Sequence, residues 1–366
     1  MTLRVAFPFV GDSIGGSHVS AALLMRALVA RNISPVAVVH REGPLTEWLR
    51  QRGIETLQAK LPYFAAGGAM AAISIAAAAP SLARYLRQHD FQLVHANDGR
   101  MIATWMPAAR YAGHVGIAHR RTKWSNSRLA HVSLRLASKI IAISDYVRDS
   151  LPDGLRRRAC VIHNPFADTA PARAEVRRKV VDLSGKDGTL IAFVGTLQAQ
   201  KRPAVFLRAA ASIRRNWPDA RFLMIGQPGQ LDGEMRHLCA ELGLADVTVF
   251  LGFRAEASEL LAGCNLLLAP AIDEGHGRAL VEAMIAGTPV IAARSGGHIE
   301  ILQHGRTGLL VAPDDADEMA QAALSLLAAP DRANSMSVAA QAWARGEFSP
   351  AAHAEAVAKV YREFLG

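Results

Sequence analysis

Cysteine is scarce: Cys160, Cys239 and Cys264 are the only three in 366 residues. They are odd in number and have no metal-ligand spacing, which excludes a disulfide framework and a cysteine-held zinc. All three sit in apolar or helix-like surroundings and read as buried, reduced thiols. No Asp-x-Asp pair stands beside a strand end, and His18, His95, His163 and His298 show no ligand spacing, so no metal is expected. Long apolar runs are missing as well. The most apolar tract, Ala65–Ala79, is uncharged but short, and built of alanine and glycine rather than leucine, which is too little to span a membrane. Met1-Thr2-Leu3-Arg4-Val5 opens a strand and has no signal-peptide features. The expected location is the cytoplasm, with peripheral attachment to the inner face of a membrane as a further expectation.

What is present points to a packed protein. Hydrophobic residues make up 51% of the chain, so a core is available and disorder is excluded. At roughly 150 residues per domain, two domains are expected. Charge divides unevenly between them. Residues 1–166 carry 21 Lys and Arg against 9 Asp and Glu, and the rest carries 20 against 23, so the first half is +12 and the remainder −3. The first half is therefore expected to meet an anionic or membrane-attached partner, not nucleic acid.

Short apolar runs alternate with helix-like segments. Strands are expected at Leu3–Phe9, Pro35–Val39, Phe91–His95, Val115–His119, Lys139–Ile143 and Cys160–His163. A second set follows at Leu190–Gly195, Arg221–Gly226, Val247–Leu251, Asn265–Pro270 and Pro289–Ala293. Runs that do not alternate fit strands covered on both faces, and strand–helix alternation gives parallel sheets. Helices are expected at Ser17–Arg31, Pro203–Asn216, Glu234–Leu242 and, amphipathic, Ala351–Phe364. Each half opens as strand, glycine loop, helix. The fold class is α/β: two doubly wound, Rossmann-like domains facing across a cleft. The boundaries expected are 1–166 for an acceptor-side domain, 167–348 for a nucleotide-sugar domain, and 349–366 for a C-terminal helix returning to the first domain. His163-Asn164-Pro165-Phe166 marks the first of them by its turn chemistry.

Open parallel sheets bind ligands at the carboxyl ends of strands, where glycine loops meet helix N-termini. Glu274-Gly275-His276-Gly277-Arg278-Ala279-Leu280-Val281-Glu282 is placed there. It follows the strand Asn265–Pro270, and its helix begins near Gly277 and ends before Gly287. Gly275 and Gly277 leave free amides at the helix start, which suits a phosphate. Glu282, one to two turns on, suits a ribose diol, and Glu274 suits the hydroxyls of a sugar. An ordinary helix start with a solvated acid is the plainer reading of the same stretch. Gly195, followed by Lys201-Arg202, puts two cations just past another strand end, where they suit a diphosphate leaving group. Phe250-Leu251-Gly252-Phe253 offers a surface for a flat base. Ser295-Gly296-Gly297-His298-Ile299-Glu300 is a second glycine loop. In the first half, Gly15-Gly16 opens a helix after the first strand.

Taken together these motifs resemble the retaining glycosyltransferases of family 4, with the two-domain GT-B fold. The resemblance covers essentially the whole chain. It is most specific at Glu274 and Glu282 with Ala283-Met284, at Ala286-Gly287-Thr288-Pro289-Val290, at Gly296-Gly297 to Glu300, and at Thr307-Gly308-Leu309-Leu310-Val311. It implies that Glu274 contacts the donor sugar, Glu282 the ribose, and the amides from Gly275 through His276, Gly277 and Arg278 the diphosphate. Lys201 would stabilise the departing phosphate. Gly16 would face the diphosphate from the first domain, and His119 would point at the transferred sugar, although a satisfied core histidine is the plainer reading of His119. The family often has an arginine where Thr196 stands, and Arg202 is the candidate replacement. It often has phenylalanine at His276 and an acid after His119, where Arg120-Arg121 follow here.

The implied activity is a metal-independent, retaining transfer of a hexosyl group from a UDP- or GDP-sugar to a glycan or lipid-linked acceptor, in bacterial cell-surface polysaccharide or glycolipid synthesis. No cofactor is expected. A nucleotide-sugar epimerase of the same fold and a non-catalytic nucleotide-sugar-binding protein are the alternatives.

Overall fold

The computed structural model describes residues 2–64, 69–125, 127–168 and 172–365. It divides into two compact units. Unit 1 is Met1–Ala167 with Phe348–Gly366, and unit 2 is Asp168–Glu347. Phe348, assigned from sequence to the second domain, belongs to unit 1. Its carbonyl accepts the Phe166 N–H at 2.9 Å and the two rings meet edge-on at 6.3 Å.

The sheet of unit 1 contains β1 (Leu3–Phe9), β2 (Ile33–Val39), β3 (Thr56–Gln58), β4 (Leu93–Ala96), β5 (Val115–Arg120), β6 (Lys139–Ala142) and β7 (Ala159–Val161), in the order β3-β2-β1-β4-β5-β6-β7. Every pairing is parallel. Both faces are covered, which is why the runs do not alternate. Val5, Phe7 and Phe9 pack on one face with Leu93, Ile117 and Ile141. Ala6 and Val10 pack on the other with Val94, Ala118 and Ile140. The helix Pro350–Leu365 closes the first face with Ala354, Val357, Ala358 and Tyr361. Of the apolar tract Ala65–Ala79, residues 65–68 lie outside the described set. Ile75, Ala78 and Ala79 are buried within the helix Ala69–Gln88, so this end of the tract is core.

Unit 2 contains β8 (Thr189–Val194), β9 (Ala220–Ile225), β10 (Thr248–Gly252), β11 (Leu266–Ala269), β12 (Val290–Ala293) and β13 (Leu309–Val311), ordered β10-β9-β8-β11-β12-β13 and again all parallel. The strand order reverses between β1 and β4 in unit 1, and between β8 and β11 in unit 2. A crevice opens at such a reversal because the flanking loops diverge to opposite faces. The turns after β8 and β11 carry Gly195–Arg202 and Glu274–Gly277.

Sequence periodicity does not find β3 and β13, since three residues are too few to show a period. It also ends β7 late: His163 leaves the ladder, and its Nδ1 lies 3.1 Å from the Ile143 carbonyl. Among the described residues, no helix is long and apolar enough to cross a membrane. The three cysteines are free thiols, and burial pushes Cys264 up to about 12.

Candidate active site

In unit 2, β8 ends at Val194 and the chain turns through Gly195 into a short 3-10 turn, Ala199–Lys201. The Lys201 side chain folds back over Gly195, where an added Cβ would sit 3.2–3.5 Å from its methylenes. A side chain at that position would displace the lysine. The Lys201 ammonium meets Oε1 of Glu274, in the turn after β11, and both side chains are 21% exposed. The other carboxylate oxygen, Oε2, lies 3.4 Å from Nε2 of His298, whose Nδ1 is 3.1 Å from the Ala293 carbonyl. Burial works against a charge on Glu274. The His298 hydrogen bond and the Lys201 ammonium outweigh it and hold the carboxyl down at about 2.

The two glycine loops hold this arrangement together. Gly297 N–H donates to the Glu274 carbonyl at 2.8 Å, and Asp273 N–H donates to Ser295 Oγ at 3.1 Å. Gly296 has φ +56°, and a Cβ there would strike the Glu274 carbonyl oxygen at 2.5 Å. Glycine thus permits both the left-handed backbone and the close approach. Gly275 and the buried His276 lead to Gly277, which caps the helix Arg278–Ala286. The N-terminus of that helix carries the positive end of its dipole and favours an anion, while the Leu280 N–H donates to the Gly277 carbonyl at 3.1 Å. Glu282, one turn in, accepts from Arg278 Nη2 at 2.8 Å. Burial raises its pKa against the nearby Arg278 and Lys201 charges. Lys201 therefore acts on both carboxylates.

Arg202 is placed differently from Lys201. It precedes Pro203, which disfavours a helical backbone at the preceding residue. Arg202 adopts φ +52°, and its Nε lies 2.8 Å from Asp314 Oδ1. Phe253 is 66% exposed. The small cavity at the ends of β9 and β10, about 180 Å³, is lined instead by Gly226, Phe250, Leu251 and Gly252. Phe250 carries the Arg236 guanidinium 4.5 Å above its ring.

In unit 1, Gly16 is the first residue of the helix Gly16–Val29. His119 is the penultimate residue of β5 and is fully buried. Its Nδ1 is 3.0 Å from Nε2 of His95, whose Nδ1 is 2.6 Å from the Tyr361 hydroxyl. His353 stacks at 5.9 Å on His119, and its Nδ1 is 2.6 Å from the His163 carbonyl. Burial, and after it the Arg121 charge, takes His95 and His119 well below the usual histidine range and His353 to about 3. Arg121 itself bonds Asn97, at 2.7 Å, and Asn164. Sequence reasoning assigned no role to His95, His353 or Tyr361. His298 lay inside a recognised loop, but nothing local tied it to Glu274. Among the described residues, no group of three or more His, Cys, Asp or Glu is arranged to hold a metal.

Comparison with known proteins places the chain. Residues 14–169 match the family model described as glycosyltransferase family 4, and residues 177–343 match that of the glycosyl transferases group 1. The chain belongs to glycosyltransferase family 4. This family 4 chain is 32% identical over 184 residues to a 2-deoxystreptamine glucosyltransferase of Streptomyces kanamyceticus, covering 50% of this chain and 47% of that one. It is 29% identical over 290 residues to a GDP-mannose-dependent alpha-(1-6)-phosphatidylinositol monomannoside mannosyltransferase of Mycolicibacterium smegmatis, covering 73% and 75%. Over the first curated relatives it spans half of their length or less. A crystal structure of Anabaena HepE with UDP and glucose superposes with a TM-score of 0.82 at 21% identity, covering 98% of this chain and 99% of that one. At that identity the likeness carries the fold, which is GT-B.

Proposed function

We propose that the protein is a retaining glycosyltransferase that moves a sugar from a UDP- or GDP-sugar to an acceptor hydroxyl. The observation that carries this reading is the convergence of Lys201, Glu274 and Glu282 at the β8/β11 reversal, beside the N-terminus of the helix Arg278–Ala286. Unit 2 would take the donor: Glu282 the ribose, Glu274 the sugar hydroxyls, and the amides from Gly275 to Arg278 the diphosphate. Unit 1 would take the acceptor, with Gly16 and His119 in the roles the family resemblance implies. The Anabaena neighbour holds UDP and glucose, and the mycobacterial relative is named for GDP-mannose and a phosphatidylinositol acceptor. The first supports a nucleotide-sugar donor, and the second supports both such a donor and a lipid-linked acceptor.

In this mechanism the bond from the anomeric carbon to the β-phosphate oxygen breaks as the acceptor oxygen approaches the same face. The leaving phosphate oxygen takes the acceptor proton. Negative charge grows on the diphosphate, so a fixed ammonium and helix amides act more strongly in the transition state than before it. Lys201 supplies that ammonium, and no metal is required. Arg202, held to Asp314, contributes less.

A thermal-shift screen with UDP-glucose, UDP-galactose and GDP-mannose tests the reading. A ligand at 100 times its Kd stabilises by about 2.7 kcal/mol. If none of the three, nor UDP or GDP, raises the midpoint, the donor reading fails. Product analysis by NMR then decides retention. Donor conversion without an acceptor would instead indicate an epimerase.

A further inference from the structure

Unit 1 has a cavity of about 410 Å³, lined among others by Ser17, His18, Asp98, Arg100, Arg120 and Ser127. It lies where the strand order reverses between β1 and β4. Its charges differ in how they are satisfied. Arg100 faces Asp12 at 3.7 Å. Asp98 caps the helix Gly99–Ala112, accepting the Met101 N–H at 2.9 Å. Arg120 is only 7% exposed. Its Nη2 donates to the carbonyls of Thr122 and Lys123, each at 3.2 Å. Its Nε has no hydrogen-bond partner, and the guanidinium has no carboxylate partner, among the described residues. A buried guanidinium without a counter-ion is costly, because carbonyl dipoles replace only part of its hydration. Burial lowers the Arg120 pKa, yet arginine stays charged at neutral pH.

Asp98 is the acceptor in the lining, with Oδ1 taken by the Met101 N–H, while His18, Ser17 and Ser127 are donors. Gly15 N–H donates to His18 Nδ1 at 2.9 Å, which leaves the second ring nitrogen of His18 to carry the hydrogen. Burial lowers the His18 pKa and keeps that ring neutral. Ser17 adds a hydroxyl in the first turn of the helix Gly16–Val29. Ser127 Oγ accepts the Ala130 N–H at 3.3 Å and keeps its own hydrogen to give. The Arg120 charge with the donors that Nη2 leaves over, a ring N–H and two hydroxyls offer more donors than the two oxygens of a carboxylate use. They suit a phosphate, which has more acceptor oxygens and forms charge-assisted hydrogen bonds with arginine.

We propose that this cavity binds the phosphate group of the acceptor and that Arg120 is its counter-ion. The inference rests on the transfer reading and deepens it, by naming the acceptor as a phosphate ester rather than a neutral glycan.

Binding tests it without needing turnover. The full-length protein is saturated with UDP, so that the donor site of unit 2 is filled, and titrated with inorganic phosphate by calorimetry. Separate arms use glycerol 3-phosphate, for a soluble ester, and vesicles containing phosphatidylglycerol, for a lipid headgroup. The expected result is saturable phosphate binding that weakens at least tenfold in Arg120→Gln, with UDP affinity unchanged. Arg120→Lys, which keeps the charge and loses the additional guanidinium donors, should fall between. Arg120→Met supplies a second readout. It removes an uncompensated buried charge, so its unfolding midpoint in phosphate-free buffer should equal or exceed that of the wild type, and phosphate should no longer raise it. Phosphate binding retained in Arg120→Gln, in all arms, overturns the proposal. So does an Arg120→Met variant that is less stable yet still binds phosphate, since Arg120 would then serve only to hold the 122–123 turn. Failure to bind UDP would count against the transfer reading and leave the phosphate arms as an independent test of the cavity.

Discussion

The hydroxyl of Tyr361 lies 2.6 Å from Nδ1 of His95, joining two residues 266 positions apart. The arrangement that satisfies a buried hydroxyl has it donating to that nitrogen. His95 then carries its hydrogen on Nε2 and donates to His119 Nδ1 at 3.0 Å. His119 is left with its hydrogen on Nε2, an atom that is buried and without a partner among the described residues. In that arrangement the C-terminal helix of unit 1 sets the tautomer of a histidine near the end of β5. Tyr361→Phe keeps the ring packing and removes the donor. Long-range imidazole NMR should show one His119 tautomer, Nε2–H, in the wild type and a mixture in the variant. Turnover should fall by roughly 2- to 13-fold, the worth of a neutral hydrogen bond of about 0.5–1.5 kcal/mol. An unchanged tautomer in Tyr361→Phe would refute the relay.

Glu274 sets an acid limit on stability. Its folded pKa, about 2, lies below its ordinary value of 4.5. A depressed carboxyl contributes stability that is complete above the unfolded pKa and is lost as pH falls from 4.5 towards 2. At 1.36 kcal/mol per unit, the contribution is about 3 kcal/mol. Urea unfolding of Lys201→Ala between neutral pH and pH 2 should show a shallower acid loss than the wild type. Parallel acid limbs would mean that the ion pair contributes nothing. The same variant should lose turnover by about 2–4 kcal/mol, more than it loses donor affinity, by analogy with a deleted oxyanion donor.

Glu282 presents the opposite sign. Burial raises its pKa, so ionising it at neutral pH costs the folded state stability. Glu282→Gln should therefore be at least as stable as the wild type at pH 7. It should nonetheless bind UDP more weakly by about 1–3 kcal/mol, the range for hydrogen bonds to a charged group. A variant that is destabilised and binds UDP normally would assign Glu282 to the fold alone.

Chelation should leave transfer intact, since Lys201 and the amides ahead of Arg278 supply the positive field. Activity abolished by EDTA and restored by magnesium or manganese ions would refute this.

Vesicle association should be weak and salt-sensitive. Of the five cations that follow His119, Arg120 is buried and Arg121 binds Asn97, which leaves Lys123, Arg128 and Arg135 exposed. Three side chains at about 1 kcal/mol each give reversible attachment that screening removes over about 8–10 Å. Equal co-sedimentation with neutral and anionic vesicles would rule out the electrostatic mode.

The amino-acid sequence by itself determined the two parallel sheets and the loop from Glu274 to Glu282. Both are local properties. Buried strands such as Leu3–Phe9 and Leu266–Ala269 are read from unbroken apolar runs, and a helix start is read from glycines within a few positions of each other. Tertiary structure alone decided which charges meet. His298 reaches Glu274 across 24 positions and Tyr361 reaches His95 across 266. Arg202 turns to Asp314 rather than joining Lys201, and Arg120 goes inward while Lys123 stays out. Such contacts join residues whose order along the chain carries no periodic signal. They exist because parallel strands bring distant loops together at their ends, and because the helix Pro350–Leu365 packs on the unit 1 sheet and removes its side chains from water.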